Sequence, residues 1–351
     1  MWKDSETEID FLDYDYLIQT VQSIIMNDDL LPASIGVYGD WGSGKSSLMY
    51  MCKDRLTKAD EKIKCLVFNG WLFENYEDAK TAILGTILDE ISKEERLSTK
   101  AKDIIKGLYK SVDKFKLVKG ALKYGTDLLV TGGMGTLLSI TTNQILEKLQ
   151  ENVESSKLEE IQSNISNELN NKELREDIRE FQKEFADLLE ESNISRLVVF
   201  VDELDRCRPD TILDTLEAIK LFLFKGKVAF VIGADERHIS YAVKSKFKDI
   251  EGIQIDIGKE YLEKLIQYPI RIPQLNADEV EIYIACLLLQ SELEYEDFEK
   301  VLSWTIEEKK KDFEKFKINS VSKLFRDTPE LQTKVVESLS VANQLAFVLS
   351  N

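Results

Sequence analysis

A run of eight residues near the start of the chain has the residue types and spacing of a phosphate-binding loop. It fits the pattern G-x-x-x-x-G-K-S/T in full and consists of Gly39, Asp40, Trp41, Gly42, Ser43, Gly44, Lys45 and Ser46. Glycines let the backbone curl so that its N–H groups point at phosphate oxygens, and a following helix adds its positive end. We expect Lys45 to reach the β- and γ-phosphates and the Ser46 hydroxyl to ligate Mg²⁺. The alternative, a glycine-rich surface turn, is disfavoured by the predicted strand before the loop and the predicted helix after it.

A second run of residues places carboxylates at the end of a predicted strand. Leu197–Val201 is strongly apolar, and Asp202 and Glu203 follow it directly. We expect Asp202 to hold Mg²⁺ through water and Glu203 to polarise the attacking water. The alternative is that both carboxylates only cap the next helix. Together with the loop, the pair predicts binding and hydrolysis of ATP with Mg²⁺. No Asn-Lys-x-Asp guanine-reading motif is present, which favours ATP over GTP.

Short apolar strands alternate with amphipathic helices around these motifs. Predicted strands are Ile35–Tyr38, Cys65–Phe68, Leu197–Val201, Val228–Ile232 and Ile270–Ile272, and predicted helices are Phe11–Met26, Ser47–Leu56, Glu77–Ser92 and Thr211–Phe224. From Ala277 onward the pattern is helical. The alternation predicts an α/β fold, a parallel-sheet P-loop NTPase core with a long helical insert and a C-terminal helical lid.

The predicted elements divide the chain into four parts. Residues 1–94 form the first part of the NTPase core, 95–196 the helical insert, 197–275 the second part of the core, and 276–351 the helical lid. Within the insert, Val118–Ile140 is the one candidate membrane span, but its Lys119, Lys123 and Asp127 make insertion unfavourable. We expect a buried helical hairpin there, and partner docking by the helical region Ile145–Ser192.

The amino-acid composition argues against several kinds of site and partner. The chain has 351 residues, with 46 Lys and Arg against 64 Asp and Glu, so its net charge is -18. This acidic balance does not indicate nucleic acid binding, although the basic run Lys106–Lys123 leaves contact with nucleic acid or anionic lipid open. Four scattered cysteines and the single His238 argue against a disulfide framework, a zinc site or a Ser-His-Asp triad. The acidic N-terminus is not a signal peptide, so we expect a cytoplasmic protein.

Further motifs make the chain resemble the KAP family of P-loop NTPases, bacterial type. The matching pieces are Gly39–Ser47, Val67–Trp71, Asp202–Cys207, Gly233–Asp235 and Tyr261–Pro269. The resemblance covers about residues 10–75 and 195–275 and implies an AAA-like or STAND-like core. The arginine-containing lid motif expected of such relatives does not occur up to Asn351, so the lid is either truncated or lacks that arginine.

The resemblance also implies roles for individual residues. Asp235 would be a sensor beside the γ-phosphate, and Asn69 would face the nucleotide. Arg206 would close on phosphate or dock a neighbouring subunit, and Ser47 would join the loop residues that contact ATP. The alternative for Arg206 is a surface ion pair with Asp205 or Asp210. Among nearby aromatic residues, we expect Trp71 and Phe73 to be core, and Trp41 to shield the site or pack beneath it.

These features predict a nucleotide-driven switch in a multi-subunit complex. Protein partners, or further copies of the chain in a homo-oligomer, would dock through the insert and the lid. The resemblance adds antiphage defence, because bacterial relatives often work in defence operons. The alternatives are an ATP-binding scaffold that does not hydrolyse, membrane-associated through the insert, and a phosphotransferase acting on a small molecule.

Overall fold

The computed structural model describes residues 9–73, 79–94, 97–121, 176–223, 225–246, 257–312 and 316–349. Most of the candidate span 118–140, and the predicted helical region from 145 to 175, lie outside these ranges. Among the residues described, no helix is long and apolar enough to cross a membrane.

A five-stranded parallel sheet forms the centre of the fold. Its strands are β1 (Ala33–Tyr38), β2 (Ile63–Asn69), β3 (Arg196–Asp202), β4 (Val228–Ala234) and β5 (Tyr268–Arg271). They lie in the order β2-β3-β4-β1-β5. Strands β2 and β3 pair in parallel from Ile63 opposite Arg196 to Asn69 opposite Asp202. Every residue of β1 and β4 is buried, which explains why both have continuous apolar sequences.

Helices occupy most of the remaining described chain. They are α1 (Asp15–Met26), α2 (Lys45–Ala59), α3 (Ala79–Ser92), α4 (Thr99–Ala121), α5 (described over 176–191), α6 (Pro209–Phe222), α7 (Glu236–Lys246), α8 (Ile257–Leu265), α9 (Ala277–Glu292), α10 (Tyr295–Lys311) and α11 (Pro329–Leu349). Short 3₁₀ helices span Asp28–Leu30, Trp71–Phe73, Leu204–Arg206 and Ile318–Phe325. Helix α2 begins at Lys45, earlier than predicted, because the Leu48 N–H already donates to the Gly44 carbonyl at 2.9 Å. The predicted parallel α/β core and helical C-terminal region are confirmed.

The chain forms two compact units. The first contains Met1–Met26, Val37–Ala59 and Pro269–Asn351, and the second contains Asn27–Gly36 and Asp60–Tyr268. The division into four sequence segments stays a prediction.

In the first unit, Phe11 packs with the C-terminal helices instead of opening α1 as predicted. Its ring makes edge contacts with Tyr283 at 5.9 Å and Phe298 at 6.2 Å. Burial of the ring in this apolar cluster overrides the helical periodicity of residues 11–14.

In the second unit, four phenylalanines join α5, α6 and β4. The ring of Phe222 lies 4.6 Å from that of Phe185 and 5.6 Å from that of Phe230. Phe181 stacks on Phe185 at 6.1 Å. Helix α3 is tied to α6 by an ion pair between Lys80 and the buried Glu217. These contacts support the strands whose carboxyl ends carry the predicted acidic residues.

Candidate functional site

The loop between β1 and α2 has the backbone geometry of a phosphate cradle. Gly42 and Gly44 have φ angles of +77° and +89°, in the left-handed region that glycine adopts without strain. A Cβ atom added at either glycine would meet nothing within 4 Å, so the described structure leaves the loop surface beside them open. A turn closes the tip, where the Ser43 N–H donates to the Asp40 carbonyl at 3.2 Å. This arrangement fits an anion such as a nucleotide phosphate.

Lys45 stands at the first position of α2 with its ammonium folded over the loop. Its side chain is buried, and Nζ donates to the carbonyl oxygens of Gly39 and Asp40, each at 3.0 Å. Phosphate oxygens are stronger acceptors for an ammonium than neutral carbonyls are. Ser46 and Ser47 follow in the first turn of α2, half-buried. The N-terminal end of this helix adds a partial positive charge beside the loop.

The base of the loop requires Gly39. A Cβ there would clash with Ser43 Oγ and lie 3.1 Å from Ser43 Cβ and 3.4 Å from Ile272 Cβ, so a larger residue would force Ser43 to move. The Nε2 group of Gln274 donates to Asp40 Oδ2 at 3.1 Å, which fixes the first turn from outside. Sequence reasoning missed Gln274, because nothing in the motif indicates a partner so far along the chain.

Trp41 does not pack beneath the loop, so that part of the prediction is wrong. Its side chain is 77% exposed. It occupies the second position of the turn that joins Asp40 to Ser43, and the turn carries the ring to the outer tip of the loop. Its shielding of the site stays a prediction.

Asp202 and Glu203 stand where β3 ends. Asp202 is buried and its Oδ1 accepts from the Glu203 N–H at 2.8 Å. Glu203 has a φ of 56°, a left-handed conformation that residues other than glycine adopt at a cost. Glu203 occupies the N-cap position of the 3₁₀ helix Leu204–Arg206, but its side chain makes no capping hydrogen bond. The N-cap of α6 is Arg208, so capping does not account for the Glu203 carboxylate.

Both carboxylate oxygens of Glu203 have partners. Asn69 Nδ2 donates to Oε2 at 2.8 Å, and Arg206 Nη2 lies 3.1 Å from Oε1. Asn69 reaches Glu203 because it lies opposite Asp202 in the pairing of β2 with β3. The Asn69 amide therefore faces this carboxylate, and the contact with nucleotide that the resemblance implied stays a prediction. Arg206 pairs with Glu203 in the described structure, not with Asp205 or Asp210.

Trp71 is an exposed aromatic residue, not the core residue predicted. It is 50% exposed, because β2 ends at Asn69 and the 3₁₀ helix Trp71–Phe73 carries the ring past the strand end. Its ring centroid lies 5.9 Å from the guanidinium carbon of Arg206, within cation–π range. The side chain of Phe73 lies outside the described part.

Asp235 follows β4 as a buried, firmly ionised carboxylate. Arg237 binds it with both ends of its guanidinium, Nε at 3.0 Å from Oδ1 and Nη2 at 2.6 Å from Oδ2. This hydrogen bonding by Arg237 lowers the pKa of Asp235 from 3.8 to about 2. The Asp235 N–H donates to Asp205 Oδ2 at 3.0 Å. Sequence reasoning missed Arg237, although an arginine two residues after a strand-end aspartate is a recognisable signal.

The second unit therefore gathers the predicted polar residues at one edge of the sheet. Because β2, β3 and β4 are parallel, Asn69, Asp202 and Asp235 all lie at strand carboxyl ends. Of the two residues predicted to hold Mg²⁺, Asp202 belongs to this unit and Ser46 to the first unit, and each offers an oxygen ligand of the kind that this ion prefers. In the described ranges, no cluster of three or more His, Cys, Asp or Glu side chains forms a separate metal site.

Comparison with known proteins identifies relatives. The sequence matches the KAP family P-loop domain over residues 14–343. It is 33% identical over 170 residues to the uncharacterized protein MJ0182 of the archaeon Methanocaldococcus jannaschii, covering 46% of this chain and 85% of the relative. A solved structure of the Aeropyrum pernix ORC2 protein, in ADPNP-ADP complexes, aligns with a TM-score of 0.37 and 15% identity. That alignment covers 86% of this chain and 59% of the ORC2 chain.

The family match takes in both motifs that the sequence singled out. It contains the loop at residues 39–46 and the acidic strand end at Asp202 and Glu203. With a match that extends from residue 14 to residue 343, the chain belongs to the KAP family of P-loop domains.

Proposed function

We propose that the chain binds ATP with Mg²⁺ and hydrolyses the bond between the β- and γ-phosphates. The observation that carries this proposal is the loop at 39–46, where two left-handed glycines and the buried Lys45 form an anion cradle at a helix N-terminus. Family membership supports nucleotide binding. Hydrolysis is a separate part of the proposal. It rests on Glu203, because a protein that only binds ATP needs no carboxylate to act on water.

The proposed roles follow from the chemistry of each residue. Backbone N–H groups of the loop and the Lys45 ammonium bind the phosphates, and Ser46 and Asp202 hold Mg²⁺. When bound, Mg²⁺ neutralises charge that develops on the phosphate oxygens. Glu203 accepts a proton from water, whose oxygen bonds to the γ-phosphorus as the bond to the β-phosphate oxygen breaks. The products are ADP and inorganic phosphate.

Asp235 acts as a sensor through Arg237 in this proposal. A carboxylate alone would repel a phosphate, whereas the Arg237 guanidinium it holds attracts one. The side chain of Arg237 is 74% exposed, so it is accessible to a ligand.

On this basis the chain acts as a nucleotide-driven switch in the cytoplasm. ATP binding would close an interface with protein partners or further copies of the chain, and hydrolysis would reopen it. Docking through the insert and the lid is a part of the proposal drawn from the helical pattern of the sequence. A bacterial source and a role in antiphage defence are parts drawn from the resemblance alone.

One observation favours a second candidate function, an ATP-binding scaffold that does not turn over. Both carboxylate oxygens of Glu203 are engaged, one by Asn69 and one by Arg206. A carboxylate held in this way is a poor acceptor for a water proton. The scaffold function would apply if nothing releases Glu203.

The deciding experiment compares the wild type with Glu203→Gln, measuring ATP turnover and ATP binding in parallel. We expect the variant to bind ATP and to lose roughly 10²- to 10⁴-fold in turnover, the usual contribution of a general base. If both proteins bind ATP and neither turns it over, the chain by itself does not hydrolyse ATP. It is then either the scaffold or an enzyme that needs a partner, and the partner is sought next. Equal turnover in both would remove Glu203 from the mechanism.

A further inference from the structure

The exposed turn that contains Trp71 and Leu72 is linked by side-chain contacts to the carboxylate of Glu203, which the proposed reaction uses. Trp71 is 50% exposed and Leu72 is 67% exposed, in the 3₁₀ helix that follows β2. Two exposed apolar side chains in a row at a strand end gain little from burial. The contacts that this turn makes with its neighbours are therefore what bears on its role.

Two links connect this turn to Glu203. The first is Arg206, whose guanidinium lies 5.9 Å from the Trp71 ring centroid and 3.1 Å from Glu203 Oε1. The second is Asn69, whose Oδ1 accepts from the Leu72 N–H at 3.2 Å while its Nδ2 donates to Glu203 Oε2 at 2.8 Å. The turn therefore fixes both groups that hold the carboxylate.

The planar Arg206 side chain is positioned by the ring rather than by burial. It is 45% exposed, and a long exposed side chain has many rotamers of similar energy. An aromatic face restricts a guanidinium by stacking and by cation–π attraction. Without the ring, Arg206 would spend less time on Glu203, and the Oε1 atom would more often be open to water.

We propose that Trp71 is a positioning residue that restrains hydrolysis, because its ring holds Arg206 against Glu203. The inference rests on the proposed function, since it assumes that Glu203 activates water. Trp71 does not touch the reacting atoms and acts only through Arg206. Removing the ring raises kcat and leaves KM for ATP unchanged.

The test measures kcat and KM for ATP in Trp71→Ala, Trp71→Phe and Leu72→Ala. We expect Trp71→Ala to raise kcat roughly two- to fivefold, the size of a lost cation–π contact at an exposed site. Trp71→Phe keeps an aromatic face and should stay closer to the wild type. Leu72→Ala removes a comparable exposed side chain from the same turn, keeps the backbone N–H that bonds Asn69, and should change neither constant.

The variant Arg206→Ala distinguishes an arginine that holds Glu203 from one that contacts the phosphate directly. It should also raise kcat, and adding Trp71→Ala to it should give no further increase, because both changes release the same oxygen. A lower kcat in Arg206→Ala would place the guanidinium on the phosphate and overturn the proposal. Unchanged kcat in Trp71→Ala, with an active wild type, would overturn it as well.

The failure of the proposed function has a different signature. If Trp71→Ala is faster, adding Glu203→Gln must abolish the gain. A gain that survives Glu203→Gln contradicts both the role of Trp71 and that of Glu203. If no variant turns over although all bind ATP, hydrolysis itself fails, and the restraint fails with it.

Discussion

The side chain of Asn69 donates a hydrogen bond to the carboxylate of Glu203 at 2.8 Å. The bond crosses from the last residue of β2 to the residue after β3. It places a polar side chain on the predicted general base, whereas the family resemblance implied that Asn69 faces the nucleotide.

Asn69→Ala should therefore act on turnover and not on affinity. Losing one neutral hydrogen bond changes a free energy by about 0.5–1.5 kcal/mol, so turnover should rise roughly two- to tenfold as Oε2 becomes free. ATP affinity should stay within about twofold of the wild type. Isothermal calorimetry beside a phosphate-release assay measures both. A large loss of affinity would instead show that Asn69 contacts the nucleotide.

Lys45→Ala should weaken ATP binding by roughly ten- to a hundredfold, because a hydrogen bond to a charged partner contributes about 1.5–3 kcal/mol. Lys58→Ala is the matched control. It removes an ammonium from the same helix, where Lys58 forms an exposed ion pair with Asp54 at 2.6 Å. Its affinity for ATP should equal that of the wild type. If Lys45→Ala binds ATP normally, the loop is not the phosphate site.

Gly258 allows α8 to approach α7 closely. A Cβ there would lie 2.7 Å from the Ser240 carbonyl oxygen, so Gly258→Ala should lower the free energy of unfolding by about 1–3 kcal/mol. Gly85→Ala is the control, since a Cβ at Gly85 in α3 meets nothing within 4 Å. That change should stabilise the protein by about 0.5–1 kcal/mol, because alanine favours helix. The denaturant concentration at the midpoint of unfolding should fall in Gly258→Ala and rise in Gly85→Ala.

The ion pair of Asp235 with Arg237 should make the free energy of unfolding depend on pH in the acid range. The folded state lowers the pKa of Asp235 from 3.8 to about 2, so its stabilising contribution is complete above pH 3.8 and is lost as the pH falls towards 2. Arg237→Ala should reduce the difference in unfolding midpoint between pH 5 and pH 2, the range over which most of this contribution is lost. Thermal unfolding across that range measures it. An identical pH dependence in the variant would show that the pair contributes nothing.

Short-range pattern predicted most of the fold. The buried strands β1, β3 and β4 could be located because apolar runs of strand length between helical segments are typical of strands covered on both faces. The loop at 39–46 could be located because its chemistry needs fixed residue types at fixed spacing. Helix ends were harder to place. Phe11 has helical spacing with the residues of α1 but packs with rings of α9 and α10 far along the chain.

The side-chain partners could not be predicted. Trp71 was expected in the core because aromatic residues dominate cores, but exposure depends on where β2 ends and how the chain turns there. Arg206 pairs with Glu203 and not with an aspartate beside it, at a residue whose backbone is left-handed. A linear motif contains no information on such torsions.

The contact of Asp40 with Gln274 has a consequence for how the protein is made. The two residues are 234 positions apart. A ribosome adds roughly 5–20 residues per second, so the loop leaves the exit tunnel about 10–50 seconds before Gln274 does. During that interval the nascent loop lacks its outer support. We therefore expect the loop to reach its final support only late in translation, after the residues that follow β5 have emerged.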